Sequence, residues 1–350
     1  MARLSSRFAR LPDTWLSRRW PAWGLLPLAA LYAGLAALHR LPFRLGWRHA
    51  ESVGVPVVVV GNLIAGGAGK TPTVIAVVRL LQQRGHLPGV VSRGHGRTEL
   101  ALREVQPDTP VAACGDEPLL LRLRTGVPVL VGQDRVAAAR ALLHAHPRTS
   151  VIVSDDGLQH HRLARDVQVI VFDERGAGNG WLLPAGPLRE PLPDALPPRS
   201  VVLYNAAQPS TPLPGFRARR ALSGAVALDA WWRGEAPSPA ALAALADRPL
   251  VAAAGIAQPA RFFALLRAHG LRIEEHPLPD HDTFATLPWA EGTPDAIVTE
   301  KDAVKLDPRR VGTTRVWVAA LDFAPEPGFD AALAALLPSA SESRHGNPTA

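Results

Sequence analysis

Val55-Pro56-Val57-Val58-Val59-Val60-Gly61-Asn62-Leu63-Ile64-Ala65-Gly66-Gly67-Ala68-Gly69-Lys70-Thr71 joins a β-branched run to a glycine-rich loop, and Thr73 to Gln83 continues with apolar residues at helical spacing. The pattern predicts a buried strand, a loop and a helix. Glycines in such a loop let backbone N–H groups approach phosphate oxygens, and a helix N-terminus favours negative charge. Gly66, Gly67, Ala68, Gly69, Lys70 and Thr71 are therefore the expected nucleotide-binding residues. Lys70, expected on an exposed loop, would reach the outer phosphates, and the Thr71 hydroxyl would hold magnesium. The general G-x-x-x-x-G-K-T pattern wants glycine at position 64, where this chain has Ile64.

Working outward, buried-type strands are expected at Gly89 to Ser92, Val127 to Val131, Val151 to Ser154 and Val167 to Phe172, with helices such as Asp134 to Ala145 between them. Alternation of this kind predicts an α/β fold, a phosphate-loop type of doubly wound, mostly parallel sheet. The Gly- and Pro-rich segment from Gly176 to Arg199 is too long for a casual connection and is expected to carry function. Val201 to Tyr204 resumes a strand. A smaller second α/β set follows with Val251 to Ala254, the helix Pro259 to His269, Ala296 to Thr299 and Val316 to Ala319. The boundary is expected near Pro209 to Gly215, giving an anchor over 1–48, a core domain over 49–210, a smaller α/β domain over 211–338 and a disordered tail over 339–350.

The chain has 350 residues, 47% of them hydrophobic, enough to bury a full core, so a disordered chain is excluded. A single cysteine, Cys114, excludes an internal disulfide and argues against structural zinc. The formal charge of +7 sits entirely in the first 48 residues, where eight arginines face Asp13 alone. Those arginines flank the apolar run Ala22 to Leu38, a pattern that fits an anionic membrane surface rather than nucleic acid. Interrupted by Gly24, Pro27 and Gly34, the run is expected to form an N-terminal membrane-anchoring helix, with an interfacial position favoured over a spanning one.

Val151-Ile152-Val153-Ser154-Asp155-Asp156 is a hydrophobic strand ending in paired carboxylates, an arrangement by which phosphate-loop proteins hold magnesium. Gln159, His160 and His161 follow at once. Only three lysines occur, Lys70, Lys301 and Lys305, while arginine does nearly all other cationic work. Lysine retained against that background marks candidates for specific roles, and Thr299-Glu300-Lys301-Asp302 follows a strand directly, where α/β ligand sites gather.

These segments together resemble the tetraacyldisaccharide 4′-kinases of lipid A biosynthesis. The likeness runs through Val59-Val60-Gly61-Asn62 with Gly66 to Pro72, Ser92-Arg93-Gly94, Gly115-Asp116-Glu117-Pro118, Ser154-Asp155-Asp156-Gly157-Leu158-Gln159-His160, Leu183 to Glu190, Asp280-His281 and Thr299-Glu300-Lys301-Asp302. It extends in order from the apolar run to about residue 320, and the family's loop likewise lacks the general first glycine. The resemblance implies ATP and Mg2+ as cofactors and transfer of the γ-phosphoryl group to the 4′-hydroxyl of a tetraacylated glucosamine disaccharide 1-phosphate. It implies that Lys70 neutralises phosphate charge and that Thr71, Asp155 and Asp156 organise magnesium. Asp116 would accept the hydroxyl proton, oriented by His281, with Gln159, His160, Arg189 and Glu190 on the acceptor side. The implied setting is the cytoplasmic face of the bacterial inner membrane, with no nucleic acid and no obligate protein partner.

Two positions depart from the family. The usual Ser-Arg-Gly-Tyr-Gly-Arg has His95 in place of tyrosine, and Asp282 stands where a second histidine often follows Asp280-His281. The rival reading is a phosphate-loop ATPase or GTPase switch at the membrane. A guanine-specifying Asn-Lys-x-Asp run would support the GTPase form, and none occurs.

Overall fold

The computed structural model describes residues 14–338, which fall into two compact units. The first comprises the chain through Arg93, Asp134–Arg219 and the stretch from Pro325; the second comprises Gly94–Gln133 and Arg220–Ala324. In chain order the strands are β1 (Val57–Gly61), β2 (Pro88–Ser92), β3 (Arg103–Glu104), β4 (Val129–Val131), β5 (Val151–Asp155), β6 (Val167–Asp173), β7 (Ser200–Asn205), β8 (Phe216–Ala227), β9 (Pro249–Ala254), β10 (Arg272–Pro277), β11 (Asp295–Thr299) and β12 (Arg315–Pro325). The principal helices are α1 (Leu26–Arg44), α2 (Lys70–Gln83), α3 (Asp116–Thr125), α4 (Arg135–Ala145), α5 (Pro259–Ala268) and α6 (Phe329–Leu336).

In the first unit the order is β7-β6-β1-β5-β2, all parallel. Val58 of β1 lies opposite Val153 of β5 on one side and Val167 of β6 on the other, which fixes the register. Every residue of β1, β2, β5 and β7 is buried, as expected of parallel strands covered by helices. Helix α2 packs on β1, β5 and β2, α4 on β2, and α6 on β7. The chain runs to β2 and β5 on one side of β1 and to β6 and β7 on the other. Ligand crevices of α/β sheets form at the carboxyl end of a strand where the order turns back in this way, and the glycine-rich loop leaves β1 there.

In the second unit β9 lies between β10 and β11, β11 pairs with β12, all parallel, and β8 follows β12. Its core is built by Leu222, Leu250, Phe262, Phe263, Leu266 and Ile297. β3 and β4 form a short antiparallel pair.

All the strands expected from sequence form, with ends shifted by a residue or two, except that β12 runs six residues beyond the expected Ala319. Three were not expected: the two-residue β3, and β8 and β10. β10 runs Arg272-Ile273-Glu274-Glu275-His276-Pro277 with mostly solvated side chains, the composition of an edge strand. β8 carries Arg217, Arg219, Arg220 and Gly224, which break any hydrophobic run.

The unit division also differs from the expected domains 49–210 and 211–338, because Gly94–Gln133 belongs with the C-terminal half. Helix α3 packs against the short helix Glu300–Ala303, and Arg124 pairs with Glu300. The order of elements along the chain does not say which sheet α3 joins. The expected tail over 339–350 and the first thirteen residues of the expected anchor lie outside the described residues.

Helix α1 is the one helix among the described residues with the length and composition to cross a membrane. Its two sides differ. Leu28, Leu31, Leu35, Leu38 and Leu41, at helical spacing, are exposed, as are Trp20, Trp23 and Trp47 beside them. The other side meets the first unit. The Tyr32 hydroxyl donates to the Arg189 carbonyl at 3.0 Å, Arg40 pairs with Glu190 at 3.0 Å, and His39 and Phe43 lie against the His161 ring.

Candidate active site

The first unit supplies a loop with a lysine at its end. Gly69 adopts a left-handed conformation, φ +88°, immediately before Lys70 opens α2, and that geometry suits glycine. The loop carbonyls are held from three directions. Asn62 Nδ2 donates to the Gly66 carbonyl at 3.0 Å, Asn205 Nδ2 to the Ala68 carbonyl at 3.1 Å, and Arg175 to the Ala65 and Gly67 carbonyls.

Ile64 explains the departure from the general loop pattern. It is fully buried and bridges to Leu188, while the Ala65 N–H donates to the Pro187 carbonyl and the Arg189 N–H to the Leu63 carbonyl. Backbone pairing around position 64 thus ties the loop to the Leu183–Glu190 segment, with the Ile64 side chain buried.

Lys70 is not exposed as expected from sequence. Its side chain is 11% exposed, with Nζ 3.4 Å from Asp156 Oδ2 and 3.5 Å from Asn62 Oδ1. Arg189 pairs with the same Asp156 carboxylate at 3.1 Å and donates to Gln159 Oε1 at 3.3 Å. Gln159 in turn donates to the Asn62 carbonyl. Burial pushes the Asp156 carboxyl up, but the Lys70 and Arg189 charges outweigh it and hold the group below its usual range, so it stays ionised. Asp156 is also a non-glycine residue with φ +49°, a strained conformation of the kind that clusters at functional sites.

Asp155 is more deeply buried and accepts a hydrogen bond from the Ser92 hydroxyl at 2.9 Å. A threonine hydroxyl and two carboxylates are hard oxygen donors, the chemistry magnesium prefers, so the residues present fit that ion.

The expected acceptor-side residues separate. Arg189 and Gln159 join the Lys70–Asp156 cluster, whereas Glu190 turns to Arg40 of α1. His160 is half-buried, with Nε2 lacking a hydrogen-bond partner and its carbonyl accepting from Arg165. Burial, reinforced by Arg135, lowers its ring pKa to about 4, so it is neutral at physiological pH.

The second unit holds a separate cluster. Sequence reading placed Asp116 and His281 in different domains; both belong to this unit, with His281 Nδ1 3.0 Å from Asp116 Oδ2. Gly115, φ +92°, brings the chain into α3, where the Asp116 Oδ1 accepts from the Glu117 N–H. Asp116 is 4% exposed, and Lys305 and Lys301 stand 3.6 and 3.9 Å from its Oδ2. Burial raises its pKa, but the His281 hydrogen bond and the Lys301, His281 and Lys305 charges prevail and hold it at about 2. The His281 ring, 31% exposed, is pushed above 6.5, chiefly by the hydrogen bond to Asp116. His281 also has φ +61°. Lys301 further pairs with Glu117 at 3.0 Å and Asp280 at 3.6 Å, and the His95 ring lies 5.3 Å from that of His281.

Lysine scarcity was the one sequence signal for Lys305, whereas Lys301 was also marked by its place directly after a strand and by the family likeness. Arg175 and Asn205 carried none that distinguished them from other strand-end residues.

A parallel α/β sheet with a glycine-rich loop, a lysine at the first turn of α2 and strand-end carboxylates beside it defines a phosphate-loop protein built for nucleotide phosphates. The family model described as LpxK, Tetraacyldisaccharide-1-P 4′-kinase, matches residues 21–338, and the chain belongs to this family. The tetraacyldisaccharide 4′-kinase of Methylibium petroleiphilum is 60% identical, over 97% of this chain and 96% of that one. Its counterpart from Leptothrix cholodnii is 55% identical, over 95% and 96% respectively. Among solved structures, "apo"-form LpxK from Aquifex aeolicus in complex with ATP superposes with a TM-score of 0.75 at 25% identity, covering 91% of this chain and 99% of that one.

Proposed function

We propose that this chain transfers the γ-phosphoryl group of ATP to the 4′-hydroxyl of a tetraacylated glucosamine disaccharide 1-phosphate. Membership of the 4′-kinase family over nearly the whole chain carries the reading, and the strand–loop–helix with Lys70 supports it. The test is to incubate purified protein with ATP, magnesium and detergent-dispersed disaccharide 1-phosphate and look for a mass gain of one phosphate. Folded protein that yields no product overturns it.

Phosphoryl transfer of this kind is mainly positioning and charge neutralisation. Lys70 and the amides of Gly66 to Thr71 neutralise the ATP phosphates. Thr71, Asp155 and Asp156 would hold Mg2+, which offsets charge on the phosphate oxygens when bound. Asp155 is buried against Ser92 while Asp156 is partly open, so their contributions differ. Asp156→Asn is expected to raise the magnesium concentration for half-maximal rate about tenfold. Asp155→Asn is expected to cost mainly kcat. Parental magnesium titrations for both variants would exclude them as metal-organising residues.

The geometry favours an exchange of roles within the Asp116–His281 pair. Both Asp116 oxygens are occupied and the carboxylate is nearly inaccessible, whereas the His281 ring is partly open. A neutral imidazole donating Nδ1–H to Asp116 leaves the Nε2 lone pair for the incoming hydroxyl. The hydroxyl proton passes to Nε2 as its oxygen bonds to the γ-phosphorus and the bond to the ADP oxygen breaks. Asp116 orients the ring and stabilises the imidazolium.

The setting we propose is the cytoplasmic face of the inner membrane, with α1 lying in the interface. One side of α1 holds the enzyme through Tyr32 and Arg40 while the leucine stripe is free to enter lipid, and tryptophans flank it at headgroup level. Leu31→Glu with Leu35→Glu is expected to reduce co-sedimentation with anionic vesicles at least tenfold while leaving the fold intact. Parental binding by the double variant would move the docking surface elsewhere.

A further inference from the structure

Asp302 and Lys305 are buried charges behind the Asp116–His281 pair. Asp302 is fully buried. Its Oδ2 accepts from the Gly255 N–H at 3.2 Å and from the Thr299 hydroxyl at 2.6 Å, and its Oδ1 accepts from Lys305 Nζ at 3.0 Å. The Lys305 side chain is only 4% exposed, and its ammonium lies 3.6 Å from Asp116 Oδ2 and 5.6 Å from the centre of the Phe284 ring. Gly255 closes the circuit, because its carbonyl accepts from the His281 N–H at 3.2 Å. A ring of contacts thus runs Gly255, Asp302, Lys305, Asp116, His281 and back to Gly255.

Ion pairs buried to this degree are often matched or bettered in stability by apolar side chains of similar size, so stability alone is a weak reason for them. This ring does something an apolar replacement would not. It fixes both the backbone that carries His281 in a strained left-handed conformation and the charge of the carboxylate that orients its ring. We propose that Asp302 and Lys305 are positioning residues of the proton-accepting pair. Lys305 steadies the Asp116 carboxylate, and Asp302 holds Lys305 and the Gly255 turn in place. The inference rests on the reading that His281 accepts the hydroxyl proton.

The test is the pH profile of kcat/KM. Asp116, Asp280, Lys301 and His95 face the His281 ring directly, and Lys305 acts through Asp116. Lys305→Met removes a positive charge behind the pair, so His281 holds its proton more firmly and the acid limb moves to higher pH. Asp302→Asn leaves Lys305 with Asp116 as its remaining carboxylate; that weakens the hold of Asp116 on His281, so the limb moves to lower pH. Shifts of about half a unit in opposite directions are expected, with kcat down about 10- to 100-fold and KM for ATP unchanged. Lys305→Arg, which keeps the charge, is expected to restore the parental limb.

Because a single change strands a buried charge, the double variant Asp302→Asn with Lys305→Met is made alongside. It is expected to fold and to keep the kcat loss. Folded variants with parental kcat and limb overturn the proposal, as does failure of the double variant to fold, which would make the ring a scaffold. The underlying reading is checked separately with His281→Gln. If that variant turns over normally, the base assignment itself fails. If it is impaired while the Asp302 and Lys305 variants are normal, the positioning inference alone fails.

Discussion

Lys70→Ala is expected to lower kcat by a factor of about 10²–10³ or more, the scale of losing one preorganised group that meets developing charge in the transition state. The lysine sits at the first turn of α2, directly after Gly69, with Nζ within 3.5 Å of both Asp156 and Asn62. Those contacts place the ammonium beside the loop rather than in solvent, so little reorganisation is needed when phosphates arrive. Its removal leaves Asp156 paired with Arg189, so no carboxylate is orphaned. Thermal unfolding should therefore shift by no more than about 2–4 °C, the equivalent of roughly 1 kcal/mol for a unit of this size. Lys70→Arg should not rescue, because a planar guanidinium cannot reproduce a compact point charge. Turnover within a few-fold of the parent in Lys70→Ala would remove the loop from the mechanism.

The same lysine illustrates what was legible in the sequence. Its role follows from a strand, a glycine-rich loop and a helix in succession, all local features. The buried parallel strands were equally readable, since burial on both faces makes each a continuous apolar run, whereas the solvated edge strand β10 was not. Long-range partners were not. Nothing near Glu190 indicates that it meets Arg40 from α1, and nothing in α3 indicates that Asp116 lies beside Lys305. Ile64 is instructive because the local pattern recorded it as a defect. Its pairing with Leu188 shows that the residue missing from the general loop is replaced by a contact nearly 125 positions away. Lys301 and Lys305 lie between these cases. Their scarcity marked them, but only the fold assigned them to the Asp116 carboxylate.

Asp116→Ala and His281→Ala should each reduce kcat by about 10²–10⁴, the usual range for loss of general base assistance, with KM for ATP changed less than about threefold. The nucleotide loop belongs to the other unit and neither residue contributes to it. Because the two groups act as one device, the double variant should be little worse than the worse single one. The pH dependence carries more information than the size of the loss. His281 must be neutral to accept a proton, and its pKa is raised above 6.5 chiefly by the Asp116 hydrogen bond. The parent should therefore lose kcat/KM as pH falls through a value above 6.5, and Asp116→Asn should move that limb to lower pH while lowering the plateau. Asp116 has the opposite sign for stability. Its folded pKa of about 2 is below the ordinary 3.8, so its stabilising contribution is complete above pH 4 and is lost as pH falls toward 2. Activity should thus fail several pH units before the pair contributes to acid unfolding. Multiplicative losses in the double variant, or an acid limb unmoved by Asp116→Asn, would separate the two residues and return proton removal to another group or to the phosphate itself.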